Sequence, residues 1–203
     1  MYARVASFEG RDPSLTDELI QGIRDRGPTS MPEARGFLGL FDRSRGTSLG
    51  ITFFDSEEAI RNAAQAFEDM AQHFPPEMRG RRTSVETYEV TLQDGRGQGA
   101  GAARVSSLEG SPNRIDESVR YAREQILPKA RELAGWKGAI GLVDRKSGRT
   151  KLITLWENEQ ALRGSEQQAD RLREQTASAG GQRIVAVDRY EVAVAEQLAA
   201  VTA

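Results

Sequence analysis

Ala3-Arg-Val-Ala-Ser-Phe-Glu-Gly10 and Ala103-Arg-Val-Ser-Ser-Leu-Glu-Gly110 decide the fold, because six of their eight positions are identical at an offset of 100 residues. A second match follows at an offset of 102, between Gly36-Phe-Leu-Gly-Leu-Phe-Asp-Arg43 and Gly138-Ala-Ile-Gly-Leu-Val-Asp-Arg145. The later offset also pairs Tyr88-Glu-Val90 with Tyr190-Glu-Val192. One repeat at a long period indicates a duplicated unit rather than a solenoid.

The break between the two copies is a polar stretch with glycine at positions 95, 97, 99 and 101. Alternating glycines in a polar segment are typical of a flexible linker. We therefore predict a first unit over residues 1–92, a linker over 93–101 and a second unit over 102–203. The Ala/Val-rich tail after Val192 fits either an extension of the last strand or a short helix.

The composition excludes several kinds of chemistry. The 203 residues include no cysteine and one histidine, His73, which excludes disulfides, thiolate catalysis, Fe–S clusters and multi-histidine metal sites. The charge is nearly balanced, with 28 Lys+Arg and 30 Asp+Glu. This balance gives no electrostatic reason to expect a nucleic acid or an anionic membrane as partner. With no signal-peptide pattern and no apolar run near the roughly 20 residues of a membrane span, we expect a cytoplasmic protein.

Hydrophobic periodicity predicts the order β-α-β-β-α-β in each copy. Asp12-Pro13, Ser111-Pro112, Ser56 and Asn158 are predicted N-caps, and Pro128 should kink or interrupt its helix. The predicted elements of the first copy are strands at Tyr2–Phe8, Arg35–Asp42, Leu49–Phe54 and Thr83–Leu92, and helices at Asp12–Arg26 and Ser56–His73. Those of the second are strands at Ala102–Leu108, Trp136–Asp144, Lys151–Trp156 and Arg183–Ala195, and helices at Ser111–Leu133 and Asn158–Ala177.

This element order is that of the ferredoxin-like unit, an α+β fold with a four-stranded antiparallel sheet and both helices on one face. The other face also needs cover, since Val5 and Ile51 are apolar and alternate with Thr52 and Phe54. Two such sheets packed face to face would bury it, and the duplication supplies the second sheet within one chain.

The chain resembles the dimeric α+β barrel superfamily, and most closely its antibiotic-biosynthesis-monooxygenase-like domains. The likeness lies in the duplicated unit, Gly135-Trp-Lys-Gly138 before a glycine-rich strand, Ile153-Thr-Leu-Trp-Glu-Asn-Glu-Gln-Ala-Leu162, and Tyr190-Glu-Val192. It implies an intrachain pseudo-dimer, with ligand cavities between each sheet and its own helices. A further homodimer remains open. The superfamily includes monooxygenases, haem-degrading enzymes and stress-induced proteins, so the resemblance implies a fold more firmly than an activity.

The candidate binding residues are Trp156, Thr154, Phe54, Tyr121 and His73. By strand alternation Trp156 shares a face with Thr154, and Phe54 is its counterpart in the first copy. In haem-degrading relatives a tryptophan at this strand end lines the pocket, and the iron-ligating histidine lies on the helix that carries His73. Each also has a structural reading, as a core aromatic for Trp156 and as a helix-end residue for His73. Tyr121 has no counterpart in the first copy.

Other polar groups available to a pocket are Tyr88, Tyr190, Thr52, Ser106, Ser107, Arg4 and Arg104. Asp42-Arg43 and Asp144-Arg145 fit hairpin turns in which the aspartate shapes the turn and the arginine is solvated.

We therefore predict a barrel protein that binds a small apolar or aromatic molecule, with no metal and no cofactor. The resemblance implies cofactor-independent monooxygenation, in which an apolar pocket positions an electron-rich substrate and stabilises its anion. The alternative is a non-catalytic, stress-associated or structural module, and haem binding or degradation is a third possibility. An open pocket of order 300 Å³ beside Trp156 or Tyr121 would favour the enzyme.

Overall fold

The computed structural model describes residues 1–26, 31–95 and 97–196. The described chain forms two compact units. The first unit contains Met1–Thr87 together with residues 191–196, and the second contains Tyr88–Tyr190. Arg96 of the predicted linker and residues 197–203 of the predicted tail lie outside the described residues.

Both copies follow the predicted β-α-β-β-α-β order, with each long helical region divided into shorter helices. The first copy contains β1 (Tyr2–Glu9), α1 (Thr16–Arg26), β2 (Ala34–Asp42), β3 (Thr47–Phe54), α2 (Glu57–Asn62), α3 (Ala64–Gln72), α4 (Pro76–Arg79) and β4 (Arg81–Asp94). The second contains β5 (Ala102–Glu109), α5 (Ile115–Tyr121), α6 (Leu127–Arg131), β6 (Trp136–Asp144), β7 (Arg149–Trp156), α7 (Glu159–Gly164), α8 (Glu166–Gly180) and β8 (Arg183–Glu196).

The sheet of the first unit has the strand order β4-β1-β3-β2-β8, and that of the second has the order β8-β5-β7-β6-β4. Neighbouring strands within each copy are antiparallel, as in the run of β1 against β3 from Tyr2↔Phe54 to Phe8↔Ser48. The first half of β4 lies beside β1, where the Ser84 hydroxyl donates to Ser7 Oγ over 3.1 Å. The ferredoxin-like prediction is thereby confirmed for both copies.

β4 and β8 are each fourteen residues long and serve both sheets. Their first halves complete the sheet of their own copy. The second half of β8 then pairs with β2, from Phe41↔Glu191 to Phe37↔Glu196, and the second half of β4 pairs with β6. Neighbouring strands have only eight or nine residues, so the ends of β4 and β8 would otherwise leave their backbone groups unpaired.

The hairpin arginines hold these shared strand halves in place. Arg43 donates to Glu191 on β8 over 2.6 Å and to Asp17 on α1 over 2.7 Å. In the second unit Arg145 makes the equivalent contacts, to Glu89 on β4 and to Asp116 over 2.9 Å. The prediction that these arginines are merely solvated is therefore wrong, because each is bound between two carboxylates.

The predicted turn role of the aspartates is confirmed. Asp42 Oδ1 accepts from the backbone N–H of Ser44 over 2.9 Å, and Asp144 Oδ1 accepts from that of Lys146 over 3.0 Å. Burial raises the pKa of Asp42, but hydrogen bonds from the Ser44 hydroxyl and the turn backbone outweigh it and lower this pKa below its ordinary value. The Ser147 hydroxyl, followed by the turn backbone, likewise lowers the pKa of Asp144.

Three of the four predicted N-caps hold. Asp12, Ser56 and Asn158 each accept a hydrogen bond from the backbone N–H two or three residues further on. Ser111 makes no such side-chain bond, although it precedes the proline turn at Pro112–Arg114. The helix predicted to be interrupted at Pro128 instead contains a π-helical turn at Ala122–Ile126, just before that residue.

The helices cover one face of each sheet, and the opposite face is also buried. Leu19, Phe41 and Phe74 belong to a core cluster on the helix side of the first unit. On the other face Val5 and Ile51 are fully buried, as the alternation predicts. Within the described residues, no helix is both long and apolar enough to cross a membrane.

The carboxylates that bind the hairpin arginines on the shared strands are expected to contribute to stability. We expect Glu191→Gln to lower the free energy of unfolding by about 1 kcal/mol, because a bidentate partner of the half-exposed Arg43 is lost. Urea denaturation at low and high salt measures the change, which should shrink at high salt. Glu174→Gln, an exposed position on α8, is the control. Equal losses in the two variants would contradict this role for Glu191.

Candidate functional site

A cavity of about 130 Å³ lies between the sheet of the first unit and helices α1 and α3. It is partly open. Its wall is mostly apolar and includes five phenylalanines, namely Phe8, Phe37, Phe41, Phe67 and Phe74. The polar lining consists of Ser48 and Thr52, and the charged lining of Arg4, Arg79, Arg82 and Glu196.

Two cavities in the same region of the second unit are smaller, with volumes of about 60 and 40 Å³. The sequence repeat contributes to the difference, because three small residues of the first cavity are replaced by large ones at the offset of 102. These replacements are Leu152 for Gly50, Trp136 for Ala34 and Arg173 for Ala71. Exchanges in the opposite direction also occur, since Phe37, Phe67 and Phe74 stand where the second copy has Ala139, Ala169 and Thr176.

Trp156 and Thr154 are brought together as predicted, but in the smaller cavity. The Trp156 indole N–H donates to Thr154 Oγ1 over 3.0 Å, and the ring is fully buried. It also meets Trp136 edge-on, with ring centroids 5.5 Å apart. The space beside Trp156 is about 60 Å³, less than half the volume of the cavity in the first unit, and the ring packs in the core.

The other three candidates lie apart. Phe54 is fully buried and packs edge-on against Phe67, so it supports the wall of the larger cavity from behind. His73 is exposed where α3 ends, with Nδ1 2.7 Å from the carbonyl oxygen of Asp69, and is not part of the cavity wall. Tyr121 is half-buried on α5, outside the walls of the cavities described above.

Arg4 is the residue of this site whose importance sequence reasoning missed, although it was counted among the available polar groups. It lies on β1 opposite Thr52, and its guanidinium carbon stands 3.8 Å from the centre of the Phe67 ring. Burial and the neighbouring Arg82 lower the pKa of Arg4 to about 10, and Glu68 acts in the opposite direction. The side chain is therefore a cation at neutral pH, inside a largely apolar cavity.

Arg104, the counterpart of Arg4, is held by the protein itself. Its side chain is 1% exposed and donates to the Leu162 carbonyl over 2.8 Å, to Ser165 Oγ over 3.3 Å and to Glu166 over 3.0 Å. Burial lowers the pKa of Arg104, while Glu166 raises it. Arg4 makes no hydrogen bond or ion pair within the described residues, because Ala63 and Ala64 stand where the second copy has Ser165 and Glu166.

A metal site finds no support in the described part of the chain, which contains no group of three or more acidic or histidine side chains placed to hold an ion.

The signal that could have singled out Arg4 is present in the sequence. Both copies have an arginine at this position, but the first copy has alanines where the second has the acceptors Ser165 and Glu166. This difference can be recognised only when the contacts of Arg104 are known.

The two arginines should differ in their effect on stability. We expect Arg104→Met to lower the free energy of unfolding by roughly 2 kcal/mol, because three hydrogen bonds from a buried guanidinium are lost. The Leu162 carbonyl still accepts from the Ser165 hydroxyl, and Glu166 keeps Arg189. Arg4→Met should change it by less than about 1 kcal/mol, since only the contact with Phe67 is lost. Urea denaturation of both variants tests this, and similar losses would show that Arg4 has a structural partner.

No family model matches the chain. Among curated proteins it is similar to the uncharacterised protein Rv2557 of Mycobacterium tuberculosis (strain ATCC 25618 / H37Rv). The two are 23% identical over 201 residues, a match that covers 96% of this chain and 88% of the relative.

Three solved structures illustrate the likeness in fold. An anthrone oxidase-like protein is 14% identical with a TM-score of 0.66, and the match covers 94% of this chain and 90% of that one. A ferredoxin-fold protein related to antibiotic biosynthesis monooxygenases, from Listeria monocytogenes 4b F2365, is 13% identical with a TM-score of 0.55 and 94% coverage of each chain. A haem-degrading enzyme from Listeria monocytogenes is 12% identical with a TM-score of 0.53, covering 93% of this chain and 99% of its own.

At these low identities the comparisons show a likeness in fold alone. That likeness agrees with the element order and the sheets described above. The chain therefore has the fold of the dimeric α+β barrel superfamily, as two tandem units of the kind found in antibiotic-biosynthesis-monooxygenase-like proteins.

Proposed function

We propose that the first unit binds a small, mostly apolar or aromatic molecule in its 130 Å³ cavity. The observation that carries this proposal is the difference between the copies, since Gly50, Ala34 and Ala71 keep open a space that larger residues fill in the second unit. Proteins fill their interiors closely, and a phenylalanine-lined void that is kept open is best explained by an occupant.

The volume indicates the size of that occupant. Apolar cavities of about 150 Å³ in other proteins take up benzene. The buried part of the ligand is therefore about one aromatic ring, and any further groups extend through the open side. The second unit, with Trp156 buried in its core, has a structural role in this proposal.

The reaction we propose is cofactor-independent oxygenation of an electron-rich phenolic ring system. In such a reaction an activated methylene and O₂ give a carbonyl and water, so the substrate supplies all the electrons. The protein needs only to hold the ring, exclude water and stabilise the substrate anion. The apolar wall and the cationic Arg4 meet these needs, and the likeness to an anthrone oxidase-like protein agrees with this reaction class.

Haem binding fits these residues less well. His73 is exposed and points its Nδ1 to its own helix rather than into the cavity. The cavity is also well below the roughly 300–1,000 Å³ of sites that enclose drug-sized ligands. We therefore keep small-molecule binding as the proposal. A purely structural protein is the competing reading.

Filling the cavity should abolish binding without harming the fold. Gly50→Leu introduces the residue found at this position in the second copy, and a Cβ at Gly50 would lie 3.6 Å from the Phe37 ring, an ordinary contact. We expect this variant to lose binding of 4-methylphenol and hydroquinone, measured by saturation-transfer NMR. We also expect it to unfold at a higher urea concentration than the wild type, because a strand glycine and a void are removed.

Gly164→Leu is the matched control, because a side chain at this exposed helical position meets only open space. It should bind both phenols as the wild type does. Equal binding by the wild type and Gly50→Leu would place the ligand elsewhere, and no binding by the wild type would favour the structural module. Oxygen consumption with a bound phenol, absent in Gly50→Leu, would support the oxygenase reading.

A further inference from the structure

The first unit contains a cation for which the described protein provides no acceptor. Arg104 shows what an arginine at this position of the fold requires, namely a carbonyl, a hydroxyl and a carboxylate. Arg4 occupies the same position with alanines in place of the hydroxyl and the carboxylate. Arg4 is half-buried and lines the cavity, and none of the described residues accepts a hydrogen bond from it, so its guanidinium can donate to a ligand there.

The charges around the cavity compensate this cation only in part. Glu68 is bound by Arg82 over 2.8 Å, so the charge of this one carboxylate is shared between Arg82 and Arg4. Arg79 also faces the cavity, and its buried Nε has no hydrogen-bond partner among the described residues. The one acidic residue of the wall, Glu196, lies on β8, three strands away from Arg4 on β1. The wall near Arg4 is therefore positive.

Thr52 adds a hydroxyl group next to Arg4. Thr52 stands directly opposite Arg4 in the β1–β3 register and is 2% exposed. Thr52 lines the cavity, and its hydroxyl makes no hydrogen bond to another described residue. A guanidinium and a hydroxyl on adjacent strands, next to an apolar chamber, match a ligand with one anionic end and one apolar end.

We propose that the cavity of the first unit selects an aromatic monoanion, of which a ring carboxylate is the simplest example, and that Arg4 receives its negative charge. This inference rests on the proposed function, since it specifies the ligand of the same cavity. Arg4 donates to the carboxylate, Thr52 adds a hydroxyl donor, and Phe67 and its neighbours enclose the ring. A phenolate in the same place would be stabilised by the same cation.

Benzoate and benzamide are the probes, because they share size and shape and differ in charge. By isothermal titration calorimetry at neutral pH, we expect the wild type to bind benzoate at least about tenfold more tightly than benzamide. Arg4→Met should weaken benzoate binding by about tenfold or more and leave benzamide binding nearly unchanged. Benzoate binding should also weaken as salt is added. Equal affinity for the two probes would overturn the proposal.

A second variant tests the same idea without removing Arg4. Ala64→Glu restores at an exposed helix position the carboxylate that Glu166 supplies to Arg104. It should compete for Arg4 and weaken benzoate binding while leaving 4-methylphenol binding intact. Gln72→Glu, which adds the same charge at an exposed position where α3 ends, is the control and should bind benzoate as the wild type does.

The outcomes separate the two proposals. Suppose that 4-methylphenol binds the wild type and not Gly50→Leu, but that benzoate binds no more tightly than benzamide. The proposed binding function of the cavity is then supported, and the role of Arg4 is refuted. If none of the four probes binds, both proposals fail. If benzoate binds equally well to Arg4→Met, its anion is received elsewhere and the inference is wrong.

Discussion

The pairing of the second halves of β4 and β8 is the constraint on which the rest of the structure depends. A strand of fourteen residues beside neighbours of eight or nine must find partners for its remaining N–H and C=O groups. Here β2 and β6 supply them, and Arg43 and Arg145 secure the arrangement through glutamates of the repeated Tyr-Glu-Val motif. A fifth strand thereby enlarges each sheet on which the helices pack.

Duplication within one chain lets the two copies diverge while keeping a common scaffold. In the second copy Leu152, Trp136 and Arg173 fill the space between sheet and helices, and Arg104 is held by groups of its own unit. In the first copy the corresponding space is open and Arg4 is left without acceptors. Close packing stabilises one unit, whereas the other keeps a void and a cation that suit a ligand.

Much of the fold was predictable because it depends on local patterns. Alternation and helical spacing gave the element order, Ser56 and Asn158 were recognisable as caps, and Pro128 marked an irregular helix that proved to contain a π-helical turn. The site was less predictable. Trp156 attracted attention as a large aromatic at a strand end, yet burial of its ring depends on Trp136 and on neighbours distant in the sequence.

The sequence by itself determined the duplication, the ferredoxin-like units, the absence of thiol chemistry and the face that Trp156 shares with Thr154. These follow from composition and from periodicity along the chain. Only the tertiary structure decided which copy keeps an open cavity and which arginine lacks a partner. Volume and hydrogen-bond satisfaction are properties of groups brought together across strands and helices, so Arg4 and Arg104, alike in sequence, differ through what surrounds them.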